Sequence, residues 1–254
     1  MNYSACLDLL YFRQPMDVFL NGMQVAKDAG MDGIEFWSWW DKDIDAIAAQ
    51  KNALGLEIST FLTKPVSLGE PGKREEFLEE LEKSIAVAKR LGCPSLIAQA
   101  GYVQPFLSQS TFKRNMLETL LAAAPILENA GITLVVEPLN TKVDHGGYFL
   151  STSEDSFGLI ERVGSPNIKV LFDIYHQQIT EGNVLNNIRD HLGYIGHMHA
   201  AANPGRGEIT GGELDYRSIF AALDAMGYHG WMGLEYRPTK DVSEGLVEAR
   251  KLFA

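Results

Sequence analysis

Four acidic or imidazole side chains stand where apolar stretches of the sequence end, and together they could bind a metal ion. The stretch LVV runs directly into Glu137, and the next residue, Pro138, is one that a buried inner strand cannot continue through. Three later apolar stretches end in the same way, at Asp173, at His197 and His199, and at Glu235. We therefore expect four successive strands to deliver oxygen or nitrogen donors to one site.

Three carboxylates and one imidazole form an oxygen-rich donor set, and such a set suits a hard or borderline divalent ion. We predict that Glu137, Asp173, His199 and Glu235 bind one Mg²⁺ or Mn²⁺, with Co²⁺ as a third candidate. A structural zinc site would favour thiolates or more imidazoles. Unpaired carboxylates repel one another, so a cation also gives them a reason to converge.

A cation in this site would polarise a carbonyl group and the neighbouring hydroxyl group of a small substrate, and it would stabilise the enediolate. Glu137 and Glu235 could then take a proton on one side and return it on the other. This pair predicts isomerisation or epimerisation of an α-hydroxycarbonyl compound.

Several other side chains could support the chemistry. We predict that His176 and Arg206 bind substrate, with the guanidinium group of Arg206 suited to a carboxylate or a terminal hydroxyl. A capping histidine and a surface arginine are the structural alternatives. His197 is expected to face away from His199 and to orient or pack behind the site. Glu35, at the end of the second strand, could contact substrate or anchor a loop.

Strand and helix patterns alternate eight times along the 254 residues, with glycines at the helix ends and no composition shift that marks a linker. This alternation predicts a single (β/α)8 TIM barrel over residues 1–254. A doubly wound sheet is the alternative, but its glycine-rich first turn is missing here. The predicted strands are residues 3–9, 33–37, 56–61, 95–98, 134–137, 169–173, 194–199 and 231–235, and the last helix is predicted over 242–253.

Composition narrows the choice of partners. The net charge is -11 without a block of Lys or Arg, so the sequence favours neither nucleic acid nor a membrane surface as a partner. The two cysteines, Cys6 and Cys93, lack CxxC spacing and are predicted to be buried free thiols. No signal peptide or bilayer-spanning run is recognised, so the expected location is the cytoplasm.

The segments EPLN, FDIYH, GHMH, NPGRGE and GGELDY, with the ending GLEY, together resemble the hydroxypyruvate isomerases of the xylose isomerase-like barrel superfamily. The resemblance covers essentially the whole chain. It implies metal ligation by Glu137, Asp173, His199 and Glu235, acid and base roles for the two glutamates, and substrate contacts from His176 and Arg206. At the position of His199 the hydroxypyruvate isomerases often carry Gln, whereas ketose 3-epimerases carry His.

The sequence therefore leaves more than one function open. The first hypothesis is isomerisation of a small hydroxy-oxo acid, either hydroxypyruvate to tartronate semialdehyde or a 2- or 3-oxo-tetronate, and the second is a ketose 3-epimerase that uses the same metal site. An endonuclease of this barrel type would need more histidines and a basic face, and a non-catalytic binding barrel would not need paired glutamates. A homo-oligomer, dimer or tetramer, is expected from the resemblance alone.

Overall fold

The computed structural model describes residues 1–253, and within them eight parallel strands close into a barrel in the order β1 to β8, with β8 paired to β1. The strands are β1 Asn2–Cys6, β2 Gly33–Phe36, β3 Glu57–Leu62, β4 Ser95–Gln99, β5 Thr133–Glu137, β6 Ile168–Asp173, β7 Ile195–Ala200 and β8 Trp231–Leu234. The predicted (β/α)8 barrel is confirmed. All eight strands point their carboxyl ends to the same face, where barrels of this kind build their active sites.

Helices follow the strands and cover the outside of the barrel. They are α1 Leu7–Leu10, α2 Met16–Asp28, α3 Ile44–Leu54, α4 Arg74–Leu91, α5 Gln109–Ala130, α6 Ser153–Val163, α7 Ile174–Thr180, α8 Val184–His191, α9 Tyr216–Ala225 and α10 Val242–Arg250. The predicted helix stops at Gly55 and Gly131 are confirmed, because both residues adopt left-handed conformations with φ of 63° and 69°. Within residues 1–253, no helix combines the length and apolar character needed to cross a membrane.

The structure differs from the sequence prediction mainly next to the site. The first strand, predicted over residues 3–9, ends at Cys6, because Leu7–Leu10 forms a helical turn. A second unpredicted helix, α7, begins directly after β6, where Asp173 Oδ1 accepts hydrogen bonds from the backbone N–H groups of Tyr175 (2.8 Å) and His176 (3.2 Å). The last helix ends at Arg250 and continues as a 3₁₀ turn, Lys251–Phe253.

The barrel interior contains both apolar and polar side chains. Ile97, Val135 and Leu171 of β4, β5 and β6 form a small buried cluster inside the barrel. Strands β2 and β7 contribute the buried Glu35 and His197. Because side chains alternate along a strand, Val135 and Leu171 lie one layer below Glu137 and Asp173. Cys6 and Cys93 are buried free thiols, as predicted.

Candidate metal centre and active site

The four predicted metal ligands come together at the carboxyl ends of neighbouring strands. Glu137 and Asp173 are the last residues of β5 and β6, His199 lies one residue before the end of β7, and Glu235 follows β8. One ligand atom from each lies within 4.8 Å of the others, and all four residues are buried. The convergence that the sequence predicts is therefore present in the fold.

The separations of these atoms fit a single ion. His199 Nδ1 lies 3.4 Å from Glu235 Oε2, 3.7 Å from Glu137 Oε1 and 4.0 Å from Asp173 Oδ2. Donors that share one ion at bonds of 2.0–2.3 Å are roughly 3 to 4.5 Å apart. Among the described residues, neither Glu137 Oε1 nor His199 Nδ1 has a hydrogen-bond partner, so both are free to bind a cation.

The pKa values of the four clustered groups are shifted in different directions. Burial raises the pKa of Glu137 and of Asp173. Burial also opposes the charge of Glu235, but the neighbouring Arg206 and His199 hold the pKa of Glu235 well below its usual value. Although burial disfavours the imidazolium form, Glu35 and Glu235 raise the pKa of His199 well above its usual value. A bound divalent cation would favour the ionised form of all three carboxylates.

The carboxylate of Glu235 is held at both oxygens. Oε1 accepts a hydrogen bond of 2.7 Å from Trp37 Nε1, and Oε2 accepts one from Arg206 Nη2. Arg206 is 8% exposed, lies over the ring of Tyr175 and approaches Asp173 Oδ2 to 3.9 Å. Arg206 is thus inside the site, where the sequence prediction places it, and it is not a surface arginine. The contact of Trp37 with Glu235 was not predicted.

His176 also lies in the site, and its neighbours fix its tautomer. The Oδ1 atom of Asn140 accepts from the backbone N–H groups of Val143 and Asp144, so the Nδ2 amino group of Asn140 faces His176 Nδ1 at 2.6 Å. The backbone N–H of Asn140 also donates to Nδ1, which must therefore be the unprotonated nitrogen. Burial and Arg206 lower the pKa of His176 to about 4, so the ring is neutral. Its Nε2–H has no hydrogen-bond partner among the described residues and is available to a substrate oxygen.

One prediction about the layer beneath the four donors is wrong. His197 does not face away from His199, because residues two apart in a strand share a face. The Nε2 atoms of both histidines lie 3.0 Å from the carboxylate of Glu35. Glu35 is buried beneath the cluster, where Ser4 and Ser59 of the neighbouring strands donate hydrogen bonds to it. Of the two predicted alternatives, the structure therefore agrees with anchoring, although the anchored elements are strands. His197 is buried and packs behind the site against the ring of His199, which is the packing alternative of the prediction. Burial alone would raise the pKa of Glu35, but His199 and His197 outweigh this effect and lower the pKa to about 2.

A cavity of about 590 Å³ opens above the four donors. Its polar wall is formed by Glu137, Glu235, His176, Arg206 and Asp144, and its apolar wall by Leu9, Leu62, Ile97 and Leu139. Arg237, two residues after Glu235, is exposed and lines the same cavity. Sequence reasoning missed Arg237. Its place two residues after Glu235, beyond the end of β8, was the available signal.

Residues 23–253 match the family of xylose isomerase-like TIM barrels. The chain belongs to this family. It is 31% identical to hydroxypyruvate isomerase of Escherichia coli, with 97% of each chain covered. It is 32% identical to 2-oxo-tetronate isomerase of Cupriavidus necator, with 96% of this chain and 95% of that protein covered.

Two solved structures resemble this chain over almost its whole length. A protein from Brucella melitensis, described as an AP endonuclease of family 2, is 32% identical with a TM-score of 0.92 and 99% coverage of both chains. An L-ribulose 3-epimerase is 25% identical with a TM-score of 0.78, covering 100% of this chain and 86% of that one. Together with the curated relatives, these similarities identify an isomerase-type enzyme, with epimerases as related proteins.

Replacing Asp173 with Asn tests the candidate metal centre while preserving the fold. The Asn side chain can keep Oδ1 as the cap of α7 but removes the negative charge from the oxygen that faces the cluster. We expect affinity for Mn²⁺, measured by electron paramagnetic resonance titration, to fall more than about 100-fold, because changes outside the ligand shell already cost 10- to 100-fold. Asp144→Asn, which changes a cavity carboxylate outside the cluster, is the control. Equal affinities in the two variants would contradict the assignment of Asp173 as a ligand.

Proposed function

We propose that this protein is a metal-dependent isomerase of a small hydroxy-oxo acid, with hydroxypyruvate or a 2- or 3-oxo-tetronate as substrate. The observation that carries the proposal is that two of the four clustered donors, Glu137 at the end of β5 and Glu235 after β8, also line one cavity. The names of the Escherichia coli and Cupriavidus necator relatives support the substrate class. The proposed cofactor is one divalent ion, Mg²⁺ or Mn²⁺, with Co²⁺ as a third candidate, held by Glu137, Asp173, His199 and Glu235.

A divalent ion in this site would act as a Lewis acid, which lowers the pKa of the carbon-bound proton next to a carbonyl group. The chain supplies the proton transfers. With hydroxypyruvate, one glutamate removes a proton from C3, and the other returns a proton to C2, while the hydroxyl proton passes from the C3 oxygen to the C2 oxygen. The product is tartronate semialdehyde, and no external reductant or oxidant is required.

The two glutamates differ in how firmly they are held. Trp37 and Arg206 fix both oxygens of Glu235, so its carboxylate has a defined orientation beside the reacting carbons. Oε1 of Glu137 is assigned to the ion, and because Glu137 also lines the cavity, its second carboxylate oxygen is left to accept a proton. His176 Nε2–H is placed to donate a hydrogen bond to a substrate oxygen, which would hold the reacting carbons beside the two glutamates.

A carboxylate substrate needs a cation that is not already neutralised. The charge of Arg206 is shared with Glu235 and Asp173, which lie at ion-pair distance from it. Arg237 lines the cavity mouth, and its backbone N–H donates a 2.7 Å hydrogen bond to the carbonyl of Arg206, so the two arginines are held side by side. We assign Arg237 to the substrate carboxylate and Arg206 to the oxygens at the reacting end.

A ketose 3-epimerase is the second candidate, and two observations favour it. The cavity of about 590 Å³ has room for a substrate much longer than hydroxypyruvate. Asp144, whose Oδ2 accepts from Asn140 and Tyr175, also lines this cavity and could accept a hydrogen bond from a sugar hydroxyl. Epimerisation would use the same two glutamates but would return the proton to the opposite face of the same carbon.

Proton NMR in heavy water tests the proposed reaction. The Mg²⁺-loaded enzyme is mixed with hydroxypyruvate, with oxo-tetronates and with neutral ketoses. An aldehyde from hydroxypyruvate with deuterium at C2, or the positional keto isomer from an oxo-tetronate with deuterium at the former carbonyl carbon, supports the isomerase. A ketose returned as its C3 epimer with deuterium at C3 would assign the enzyme to the epimerases. If no substrate exchanges its carbon-bound protons, the proposed function is wrong.

Glu137→Gln and Glu235→Gln each keep the size of the side chain but remove a proton acceptor. We expect either change to lower turnover about 100- to 10,000-fold, the range typical of general acid–base catalysis, with the fold retained by circular dichroism. Turnover is measured at saturating Mg²⁺ so that weakened metal binding does not dominate the result. Glu154→Gln, on the exposed surface of α6, is the control. Near-normal turnover in either cavity variant would contradict the proton-transfer role.

Arg237→Gln tests the assignment of the substrate carboxylate. Removing the guanidinium group should raise the KM for an acid substrate at least about 10-fold, because a charge-assisted hydrogen bond contributes 1.5–3 kcal/mol. The exchange rate with a neutral ketose should change little. Arg162→Gln is the control, because it removes an exposed arginine from α6 and changes the net charge by the same amount as Arg237→Gln. A uniform loss with acid and neutral substrates would contradict the role of Arg237.

A further inference from the structure

The carboxylate of Glu35 is fully enclosed in the barrel beneath the metal cluster and is surrounded by donors. Its Oε2 atom accepts hydrogen bonds from Ser4 Oγ at 2.9 Å and from Ser59 Oγ at 3.0 Å, and it lies 3.0 Å from His197 Nε2. Its Oε1 atom lies 3.0 Å from His199 Nε2. The substrate cavity does not reach Glu35, so this buried carboxylate has no role in the proton transfers proposed above.

His199 connects Glu35 to the cluster, since the two nitrogens of its ring face different groups. Nε2 faces Glu35, and Nδ1 faces Glu235, Glu137 and Asp173. The distance from Nε2 to Glu35 Oε1 is that of a hydrogen bond, although the N–H is not fully aligned with this oxygen. A carboxylate can only accept, so it selects the tautomer that carries its proton on Nε2.

Gly233 makes room for this arrangement. It pairs with His199 across β7 and β8, and a Cβ atom at position 233 would lie 2.2 Å from Glu35 Oε1 and 2.6 Å from Oε2. Such separations are far inside van der Waals contact, so any larger residue would displace the carboxylate. The backbone at Gly233 carries no left-handed φ that would by itself require glycine. The space at Gly233 is therefore matched to the carboxylate of Glu35.

We propose that Glu35 is a positioning residue for the metal centre: it holds the Nε2–H tautomer of His199 so that the lone pair of Nδ1 is presented to the ion. The inference rests on the proposed metal centre and adds to it a carboxylate outside the ligand shell. Such partners fix the ring orientation and raise the basicity of a histidine ligand. Ser4, Ser59 and His197 anchor the far oxygen of Glu35, so that Oε1 is kept in place beneath His199.

Nitrogen NMR of the wild-type protein labelled with ¹⁵N-histidine tests the tautomer directly. With Mg²⁺ bound, we expect the His199 signals of a protonated Nε2 and a metal-bound, unprotonated Nδ1. A protonated Nδ1 in the Mg²⁺-loaded protein would overturn the inference. This measurement needs no substitution, so it does not depend on whether a variant folds.

Variants then test the effect on metal affinity, measured as the dissociation constant for Mn²⁺ by electron paramagnetic resonance. We expect Glu35→Gln and Gly233→Ala each to weaken Mn²⁺ binding about 10- to 100-fold, with kcat largely restored at saturating Mn²⁺. Ser156→Ala, which removes a buried hydroxyl of α6 that donates to the carbonyl of Thr152, is the matched control and should leave the affinity unchanged.

The outcomes separate this inference from the proposed function. If the wild-type protein binds no Mn²⁺, the proposed metal centre fails and this inference fails with it. If the wild type binds Mn²⁺ and both Glu35→Gln and Gly233→Ala bind it equally well, the inference alone is overturned. Loss of a second bound Mn²⁺ in Glu35→Gln would also overturn it, because Glu35 would then be a ligand.

Discussion

The repulsion among three buried carboxylates is the constraint on which the rest of the site depends. Two unit charges about 4 Å apart repel by about 4 kcal/mol even at an effective dielectric constant of 20. Glu137, Asp173 and Glu235 nevertheless converge, because strands β5, β6 and β8 end at one face of a closed barrel. Arg206 and His199 offset part of their charge. A divalent cation would offset the remainder and would favour the ionised carboxylates that proton transfer requires.

The charges of the site and of the whole chain also indicate which class of substrate the barrel can bind. A solved structure described as an AP endonuclease of family 2 resembles this chain over 99% of its length. In this chain, however, the four-donor cluster contains one imidazole, the cavity above it has an extensive apolar wall, and the net charge is -11. These features match a small anionic or polyol substrate held by two arginines better than they match a nucleic acid backbone, which needs a broad basic surface.

The sequence predicted the barrel and the four converging donors because both depend on local patterns, namely apolar stretches that end in a polar residue and a regular strand and helix alternation. It missed the features that depend on barrel closure. Trp37 meets Glu235 only because β2 and β8 lie on either side of β1 in the closed sheet. The error about His197 has a different origin, because the two-residue period of a strand already places it on the same face as His199. The space that Gly233 leaves for Glu35 has no signature in the sequence at all.

Crystals grown with Mn²⁺ would test the central claim most directly, through an anomalous difference map recorded at a wavelength where manganese scatters strongly. We predict one strong peak enclosed by Glu137, Asp173, Glu235 and His199, with Nδ1 as the nearer nitrogen of the His199 ring. A peak bound elsewhere, or a barrel end without a peak at saturating Mn²⁺, would contradict the account that the three carboxylates converge to hold a catalytic cation.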